Sequence, residues 1–439
     1  MSADTQPSIS ENRKSKAIEW MKLISITGVV QILVTGLGMV SGFLVVRMLD
    51  TDELALYSMA NNILGTMVIL ADGGISNGVM AFGAQVHNNK KMFGRVLNTG
   101  MDLRKKFAIV SLIISSPILI FLLMNNGSTF MVSIVVLLAI IPTFLASLSG
   151  NLLEIVARIK QDIVPLQRIR MEFNVARLVL IFIVVFLFPY AYLALLAAGL
   201  PQMYNSWRLR KLAAKYVDFD AEPDRSKFHL KSLFTKETIV RNENLEIADE
   251  ALVNEQSGEL ISDNFKEKIL RVVSRIMPGA AYFSISGQIN LYLISIFSAS
   301  GTANQSISEI AGLDKLGMLM TIVSQLFVTL IVPRFAKLPD IKAALNNRFF
   351  QIFILLFLVG AFTVGTFYVF DTLLLKVLGD KYIGLEYYLL LSIIGNSLGM
   401  MAGNVYALFV NRGWNIAPYF LIPLNIAIIT VAILIFKIG

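Results

Sequence analysis

The sequence predicts an all-α polytopic membrane protein with about 11–12 transmembrane helices. Of its 439 residues, 56% are hydrophobic and only 15% are charged, whereas charged residues make up about 25% of an average soluble domain. Apolar runs of about 20 residues recur along the chain, which is the length an α-helix needs to cross a bilayer. This composition excludes a soluble enzyme. The continuous runs also exclude a transmembrane β-barrel, whose strands alternate over about ten residues.

A single long polar segment, residues 208–269, separates six apolar runs from five and contains 11 Lys/Arg and 13 Asp/Glu. We therefore divide the chain into a tail (1–22), a first helical region (23–207), this linker and a second helical region (270–439). The predicted spans are residues 23–46, 55–85, 107–124, 130–150, 170–188, 190–207, 270–298, 305–333, 349–370, 385–410 and 416–436.

The distribution of cations predicts the orientation of the spans. If the N-terminus is cytoplasmic, 33 of the 38 Lys and Arg residues lie on the cytoplasmic side, as the positive-inside rule requires. This asymmetry explains the net charge of +8 without a nucleic-acid partner. The connections on the other side are too short to hold a catalytic domain. The chain has no Cys and only two His, so we expect no cysteine nucleophile, thiolate metal site or His-based metal cluster. Together with the short external connections, this predicts no catalytic residue, no resident metal and no cofactor.

Ionisable side chains at membrane depth each cost about 2.5–3.5 kcal/mol on insertion scales, so each needs an explanation. Asp72 falls in the second predicted span, and Asp314 and Lys315 are adjacent in the eighth. For these three residues we favour a role in lining a cavity. Arg177 lies near the start of the fifth span and Arg47 at the end of the first. Both are candidates for substrate binding. The alternative is that each side chain snorkels, so that its guanidinium group reaches the lipid headgroups.

Amide side chains within the spans suit a hydrated lumen that hydrogen-bonds a sugar. The alternative is that they form hydrogen bonds between neighbouring helices. The amides that we assign to substrate binding are Asn61, Asn62, Gln288 and Asn290.

Glycine and proline mark predicted irregularities in the helices. Gly38 and Gly42 form a small-xxx-small pair that permits close helix approach. Gly73 and Gly74 follow Asp72 directly and are expected to bend or unwind the second helix, and Pro142 is expected to kink the fourth. Such breaks are typical of transporters, in which irregular backbone lines a cavity. Simple bundle packing is the competing explanation.

Three stretches resemble Wzx-type polysaccharide flippases of the multidrug/oligosaccharidyl-lipid/polysaccharide (MOP) exporter superfamily. SGFLVVRMLDTDELALYSMANNILGTMVILADGGISNGVMAFGA is similar to the first hairpin of that family. LYLISIFSASGTANQSISEIAGLDKLGMLMTIVSQLFVTLIVPRFAK and LLLKVLGDKYIGLEYYLLLSIIGNSLG resemble its seventh to tenth helices. The residues that carry the resemblance in the first hairpin are Arg47, Leu49, Asp52 or Glu53, Tyr57, Ser58, Gly74 and Ile75.

The resemblance implies a MOP/MATE-like bundle of two lobes related by a pseudo-two-fold axis, with residues 208–269 as the connector between lobes. Here the second lobe has five evident spans, where the family has six. The implied activity is ion-coupled alternating access that moves an undecaprenyl-pyrophosphate-linked oligosaccharide across the bacterial inner membrane. Such transport serves O-antigen, capsule or exopolysaccharide assembly, with a polysaccharide polymerase and other assembly proteins as partners.

The same resemblance suggests roles for the residues at membrane depth. Arg47, Arg177 and Lys315 are expected to receive the diphosphate, since cationic side chains bind phosphate strongly. Asp72 and Asp314 are expected to bind H⁺ or Na⁺ as the coupling ion, because carboxylates at this depth often act as ion relays.

Other functions fit the composition as well. A cation-coupled multidrug exporter of the same superfamily would share the fold, although it would need more acidic groups at depth. A membrane enzyme of glycan polymerisation would need a larger external loop. A flippase for the peptidoglycan precursor usually has more spans, and a pure scaffold would not need intramembrane Asp and Lys.

Overall fold

The computed structural model describes residues 32–224, 265–288, 294–296, 303–332, 342–410 and 422–428, together with residues 30, 335 and 420. This part of the chain is helical and contains no β-strand, which confirms the predicted all-α class. The tail 1–22, linker residues 225–264, Asn290 and most of the predicted last span 416–436 lie outside the described residues.

Seven helices form the first lobe and run back and forth between two ends of the bundle. We name the end with residues 214–224 the linker end, and the end where the first helix meets the second the opposite end. The helices are α1 (Ile32–Met48), α2 (Thr51–Asp72), α3 (Ile75–Val86), α4 (Lys90–Asn125), α5 (Phe130–Ile159), α6 (Ile163–Leu187) and α7 (Ala191–Ala213).

The helices of this lobe extend further toward the linker end than their apolar runs. The fourth helix begins at Lys90, where the apolar run predicted a start at residue 107, and α5 continues to Ile159 beyond the predicted residue 150. Lys and Arg are good helix formers, so a helix need not end where its hydrophobic stretch ends. Asn89 caps α4 by accepting hydrogen bonds from the backbone amides of Lys91 and Met92.

The second lobe begins after the linker, and its described part contains six α-helices. A 3₁₀ turn, Asp380–Tyr382, lies between the last two helices. The eighth predicted span is divided at Met318. The helices are α8 (Phe265–Ser286), α9 (Ala303–Gly317), α10 (Leu319–Leu330), α11 (Lys342–Val369), α12 (Asp371–Leu378) and α13 (Glu386–Val410).

Six helices in the described residues are long and apolar enough to cross a membrane. Large apolar side chains cover the outside of several of them; in α4, for example, Ile109, Ile113 and Phe121 are all exposed. An exposed apolar surface of this size needs lipid as its solvent. The six helices are Thr51–Asp72, Lys90–Asn125, Phe130–Ile159, Ala303–Val328, Leu345–Val369 and Glu386–Phe409.

Polar contacts hold the two lobes together at the opposite end. The Lys381 ammonium donates to the carbonyl of Leu49 at 2.7 Å. The Asn304 amide donates to the Asp52 carboxylate at 2.9 Å and to the carbonyl of Asn126 at 3.0 Å. These bonds join α1, α2 and the end of α4 to the second lobe, so the space between the lobes is closed at this end.

A buried tyrosine completes this closure from within the second lobe. The Tyr382 ring packs on Gly312 of α9, where a Cβ atom would overlap the ring. Burial raises the pKa of the Tyr382 phenol to about 12. The hydroxyl therefore stays protonated and donates a long hydrogen bond, 3.4 Å, to the carbonyl of Ser308.

At the linker end, α8 packs on the first lobe. Ile269 and Val273 belong to a core that α3, α4, α5 and α7 also form, and Ile269 contacts Gly78 of α3. The residues that follow α7 are held at the same end, because the Asn98 amide of α4 donates to the carbonyls of residues 219 and 221. Asp224 then accepts a hydrogen bond from the amide of Lys266 at the start of α8.

The remaining second-lobe helices form a core of their own at this end. Met320, Phe327, Leu356, Met400 and Leu408 belong to a cluster that contains only second-lobe residues within the described part. The two lobes are therefore joined across the opposite end, whereas at the linker end α8 is the second-lobe helix that packs on the first lobe.

Candidate functional site

Glycines on α1 allow helices of both lobes to approach it closely. A Cβ atom at Gly38 would lie 4.0 Å from the Asn174 side chain of α6, and one at Gly42 would lie 3.1 Å from Cδ of Lys315 in α9. Residues four apart share one face of a helix. The glycine pair of the sequence therefore places α1 between the first-lobe helix α6 and the second-lobe helix α9.

Arg177 of α6 lies in the first lobe and Lys315 of α9 in the second, and we call them the inter-lobe cation pair. Arg177 is close enough that its charge repels the Lys315 ammonium. Within the described residues neither cation forms an ion pair with a carboxylate, and the Nε atom of Arg177 is buried without a hydrogen-bond partner. The two cations make this part of the space between the lobes electropositive, and Asp314 offsets part of that charge.

Asp314 precedes Lys315 on α9 without forming an ion pair with it. Neighbouring residues on a helix point about 100° apart, and the Asp314 side chain is exposed, whereas Lys315 is half-buried. The carboxylate still attracts the ammonium, and more strongly than Arg177 repels it. Asp314 therefore offsets part of the Lys315 charge but leaves the N–H donors of the ammonium available to a ligand.

The predicted break in the second span falls directly after Asp72. The α2 helix ends there, and Gly73 and Gly74 adopt left-handed φ angles of 49° and 96° before α3 begins. Such angles cost about 1–2 kcal/mol for residues with a Cβ atom. At Gly74 a Cβ atom would also lie 2.9 Å from Cβ of Ile276 in α8. The two glycines therefore allow both the turn and the close approach of α8.

Asp72 is held by several partners at this break. Its carboxylate accepts hydrogen bonds from the Ser76 hydroxyl at 2.5 Å and the Ser76 amide at 3.3 Å. It also lies 3.2 Å from Nη2 of Arg104 on α4. The Arg104 side chain is 1% exposed and that of Asp72 is 24% exposed. The two charges thus neutralise each other where α3 begins beside α4, and the three guanidinium nitrogens of Arg104 are buried without a hydrogen bond in the described residues.

Arg104 was not among the candidates predicted from the sequence, because the run DLRKK around it suggests a solvent-exposed cluster of charges that sets the orientation of the span. Asp102 and Lys106 do form an exposed ion pair there, at 2.7 Å. The signal that identifies Arg104 is helical spacing: Leu97 and Gly100 recur at intervals of three and four residues on the same buried face of α4.

The other predicted site residues are distributed more widely. Arg47 is exposed at the opposite end, one and a half turns beyond Gly42, and donates to the carbonyl of Val377 at 3.4 Å. That carbonyl belongs to the last turn of α12, where the helix dipole favours a cation. The structure therefore does not bring Arg47 into the inter-lobe cation pair.

The amides and the proline are placed as follows. Asn61 and Asn62 lie on α2 and Gln288 follows α8; all three are half-buried, and their side chains form no hydrogen bond within the described residues. The α5 helix continues through Pro142 without a break. Within the described part of the first lobe, the second predicted span is the one that is broken, at Gly73 and Gly74.

A larger side chain at Gly42 should disturb the cation pair. We expect Gly42→Leu to displace the Lys315 stem and to lower stability by about 1–3 kcal/mol, as overpacking does. Gly36→Leu is the matched control on the same helix, because nothing lies within 4 Å of its Cβ position. Thermal unfolding of the purified proteins measures the difference. Equal midpoints for the two variants would contradict the close packing of α1 on α9.

The Asp72–Arg104 pair predicts a measurable coupling energy. Arg104→Met should destabilise the protein by about 3 kcal/mol, the lower limit for breaking a buried pair, because Asp72 remains partly exposed. Adding Asp72→Asn should recover part of this loss, and a double-mutant cycle from thermal or denaturant unfolding gives the coupling. Additive effects of the two substitutions would show that the pair contributes nothing.

Comparison with known proteins identifies the fold. No family model matches the chain, and no curated protein sequence matches it. Among solved structures, an inward-facing multidrug resistance MATE family transporter of the MOP superfamily has a TM-score of 0.60 and 14% identity, covering 88% of this chain and 85% of that chain. A MATE structure in complex with MaL6 has a TM-score of 0.54 at 14% identity, covering 89% and 82%.

An outward-facing multidrug resistance MATE family transporter of the MOP superfamily has a TM-score of 0.51 and 15% identity, and the match covers 89% of this chain and 82% of that one. These matches extend over both lobes. The chain therefore has the two-lobed, MATE-like fold of MOP-superfamily transporters.

Proposed function

We propose that the protein is a transporter that flips a polyprenyl-diphosphate-linked oligosaccharide from the cytoplasmic to the outer leaflet of a bacterial inner membrane. The observation that carries this proposal is the inter-lobe cation pair, Arg177 and Lys315. Neither cation forms a salt bridge with a carboxylate in the described part of the chain, although Asp314 attracts Lys315. A ligand that neutralises both groups must be anionic. The resemblance of the sequence to Wzx-type flippases supplies a diphosphate lipid as that anion.

The chemistry of the pair suits a diphosphate. An arginine guanidinium offers a planar set of donors for phosphate oxygens, and a lysine ammonium adds a compact charge. Because the two cations come from different lobes, one diphosphate between them would draw the lobes together. Binding would therefore favour a different arrangement of lobes from the empty state, which is the condition for ligand-driven alternating access.

The half-buried amides provide hydrogen-bonding groups for the sugar. Asn61, Asn62 and Gln288 have side-chain amides without protein partners among the described residues. We assign them to the glycan, together with Asn290, which lies outside the described residues. The lipid tail would stay in the bilayer, since only the polar head needs a hydrated path.

The ion-coupling step is assigned to the carboxylates. Asp314 is exposed beside Lys315, so H⁺ or Na⁺ binding there would increase the local positive charge and strengthen anion binding. Asp72 lies at the helix break and holds Arg104, so its neutralisation would loosen the start of α3, on which α8 packs. Surface polysaccharide polymerases and related assembly proteins are the proposed partners.

A cation-coupled multidrug exporter is the second candidate. It is favoured by the multidrug transporters among the structural neighbours and by the exposed Asp314 carboxylate. The unpaired cations favour the anionic substrate, because an organic cation in the same space would be repelled by both of them.

Removing either cation should impair export. In cells that carry the gene, Lys315→Ala and Arg177→Ala should each reduce transfer to the outer leaflet about 10- to 100-fold, since a hydrogen bond to a charged group contributes about 1.5–3 kcal/mol. Mass spectrometry of polyprenyl-linked glycans would then detect a complete repeat unit held on the cytoplasmic side.

Lys376→Ala is the matched control, because Lys376 is an exposed cation of the same lobe. It should export like the wild type. Normal lipid-linked glycans in cells with both site variants would refute the assignment of the pair. Unpolymerised units on the outer face in the absence of the gene would indicate a polymerase instead.

A further inference from the structure

A groove of about 850 Å³ lies on the first lobe, away from the space between the lobes. Its floor is one face of α6 near the linker end, which includes Val164, Met171 and Val175. Val30, which precedes α1, borders one side and Tyr204 of α7 borders the other. Most of the lining is apolar, and its polar members on α6 are Gln167, Arg168 and Glu172.

Helix geometry separates this groove from the inter-lobe cation pair. Val164, Arg168, Met171 and Val175 recur at intervals of three and four residues, so they share one face of α6. Arg177 follows Val175 by two residues and therefore points about 200° around the helix. Val164 and Val175 are exposed, so the groove opens to the surroundings of the bundle, which at this depth are lipid.

Charged side chains surround the linker-end part of the groove. Glu172 accepts an ion pair from Nε of Arg168 at 3.1 Å and from Nη1 of Arg208 at 2.8 Å. Arg208 also donates to the Tyr204 hydroxyl at 2.7 Å. One carboxylate shared by two guanidinium groups leaves a net positive charge, and both arginines keep N–H donors for a further anion.

An aromatic and a further cation extend this charged region. The Lys211 ammonium lies 3.6 Å from the ring centre of Trp207, which is 52% exposed. Within the described residues Lys211 has no carboxylate partner. Exposed Trp and Tyr beside Lys and Arg are typical of the level where a membrane protein meets lipid headgroups. The groove therefore combines an apolar channel at hydrocarbon depth with an electropositive mouth at headgroup depth.

We propose that this groove is a binding site for an anionic phospholipid of the leaflet at the linker end. The acyl chains would lie along Val164, Met171 and Val175, and the headgroup phosphate would bind Arg168 and Arg208. Charge complementarity selects an anionic headgroup, because Glu172 neutralises only one of the two arginines. The position on the far side of α6 from Arg177 assigns the groove to a resident lipid that holds α1, α6 and α7 together. The proposal does not depend on the transported substrate.

Native mass spectrometry of the protein from nanodiscs with equal phosphatidylglycerol and phosphatidylcholine tests the site. The wild type should retain phosphatidylglycerol selectively, and Arg168→Gln/Arg208→Gln should retain it about 30-fold less, as expected for two lost cationic contacts. Lys106→Gln/Arg271→Gln is the matched control. It removes two cations that each pair with one carboxylate at the same end of the bundle, on α4 and α8.

A steric variant tests the groove without changing charge. Ala176 lines the groove, so Ala176→Phe should also expel the lipid, whereas Val110→Phe on the exposed surface of α4 should not. This pair decides the matter if the double arginine variant does not fold. Equal retention in the wild type, the double arginine variant and Ala176→Phe would overturn the proposal. Retention of an added polyprenyl phosphate in preference to phosphatidylglycerol would overturn it as well.

Discussion

Asp72, Arg104, Arg177 and Lys315 place four ionised groups inside a helical bundle whose surface is adapted to hydrocarbon, where each isolated charge is costly. The four groups differ in whether an opposite charge neutralises them. Arg104 and Asp72 neutralise each other at a helix break, so they contribute to the fold. Arg177 and Lys315 repel each other from opposite lobes and form no salt bridge with a carboxylate in the described residues, although Asp314 beside Lys315 offsets part of the charge. A bundle that keeps two cations in this arrangement is best accounted for by an anion that binds there.

The two lobes around this cation pair are joined differently at their two ends. Hydrogen bonds from Lys381 and Asn304 close the opposite end, while the second-lobe core around Phe327 stays separate from the first lobe at the linker end. The α8 helix is different, since Ile269 and Val273 belong to the core of the first lobe. In a rocking motion of the two lobes, α8 would therefore move together with the first lobe.

Much of the architecture could be predicted from the sequence, because a membrane span must be a long apolar helix. The break at Gly73 and Gly74 was also predictable, since adjacent glycines after a buried carboxylate leave few other conformations. The helix extensions at the linker end were not, because Lys90 and Ile159 lie outside any apolar run. Arg104 was missed for a related reason. Arg104 is the buried residue in a run of basic residues, and its contact with Asp72 in the folded protein distinguishes it from the exposed Lys106.

Translocation in proteoliposomes that contain only this protein tests the central claim most directly. A fluorescent polyprenyl-diphosphate oligosaccharide is placed in one leaflet, and its appearance in the other is followed with and without an ion gradient. The account predicts protein-dependent transfer of this lipid, and no transport of ethidium under the same gradient. Transport of ethidium without transfer of the lipid would contradict the assignment of the cation pair to an anionic substrate and would establish the multidrug exporter instead.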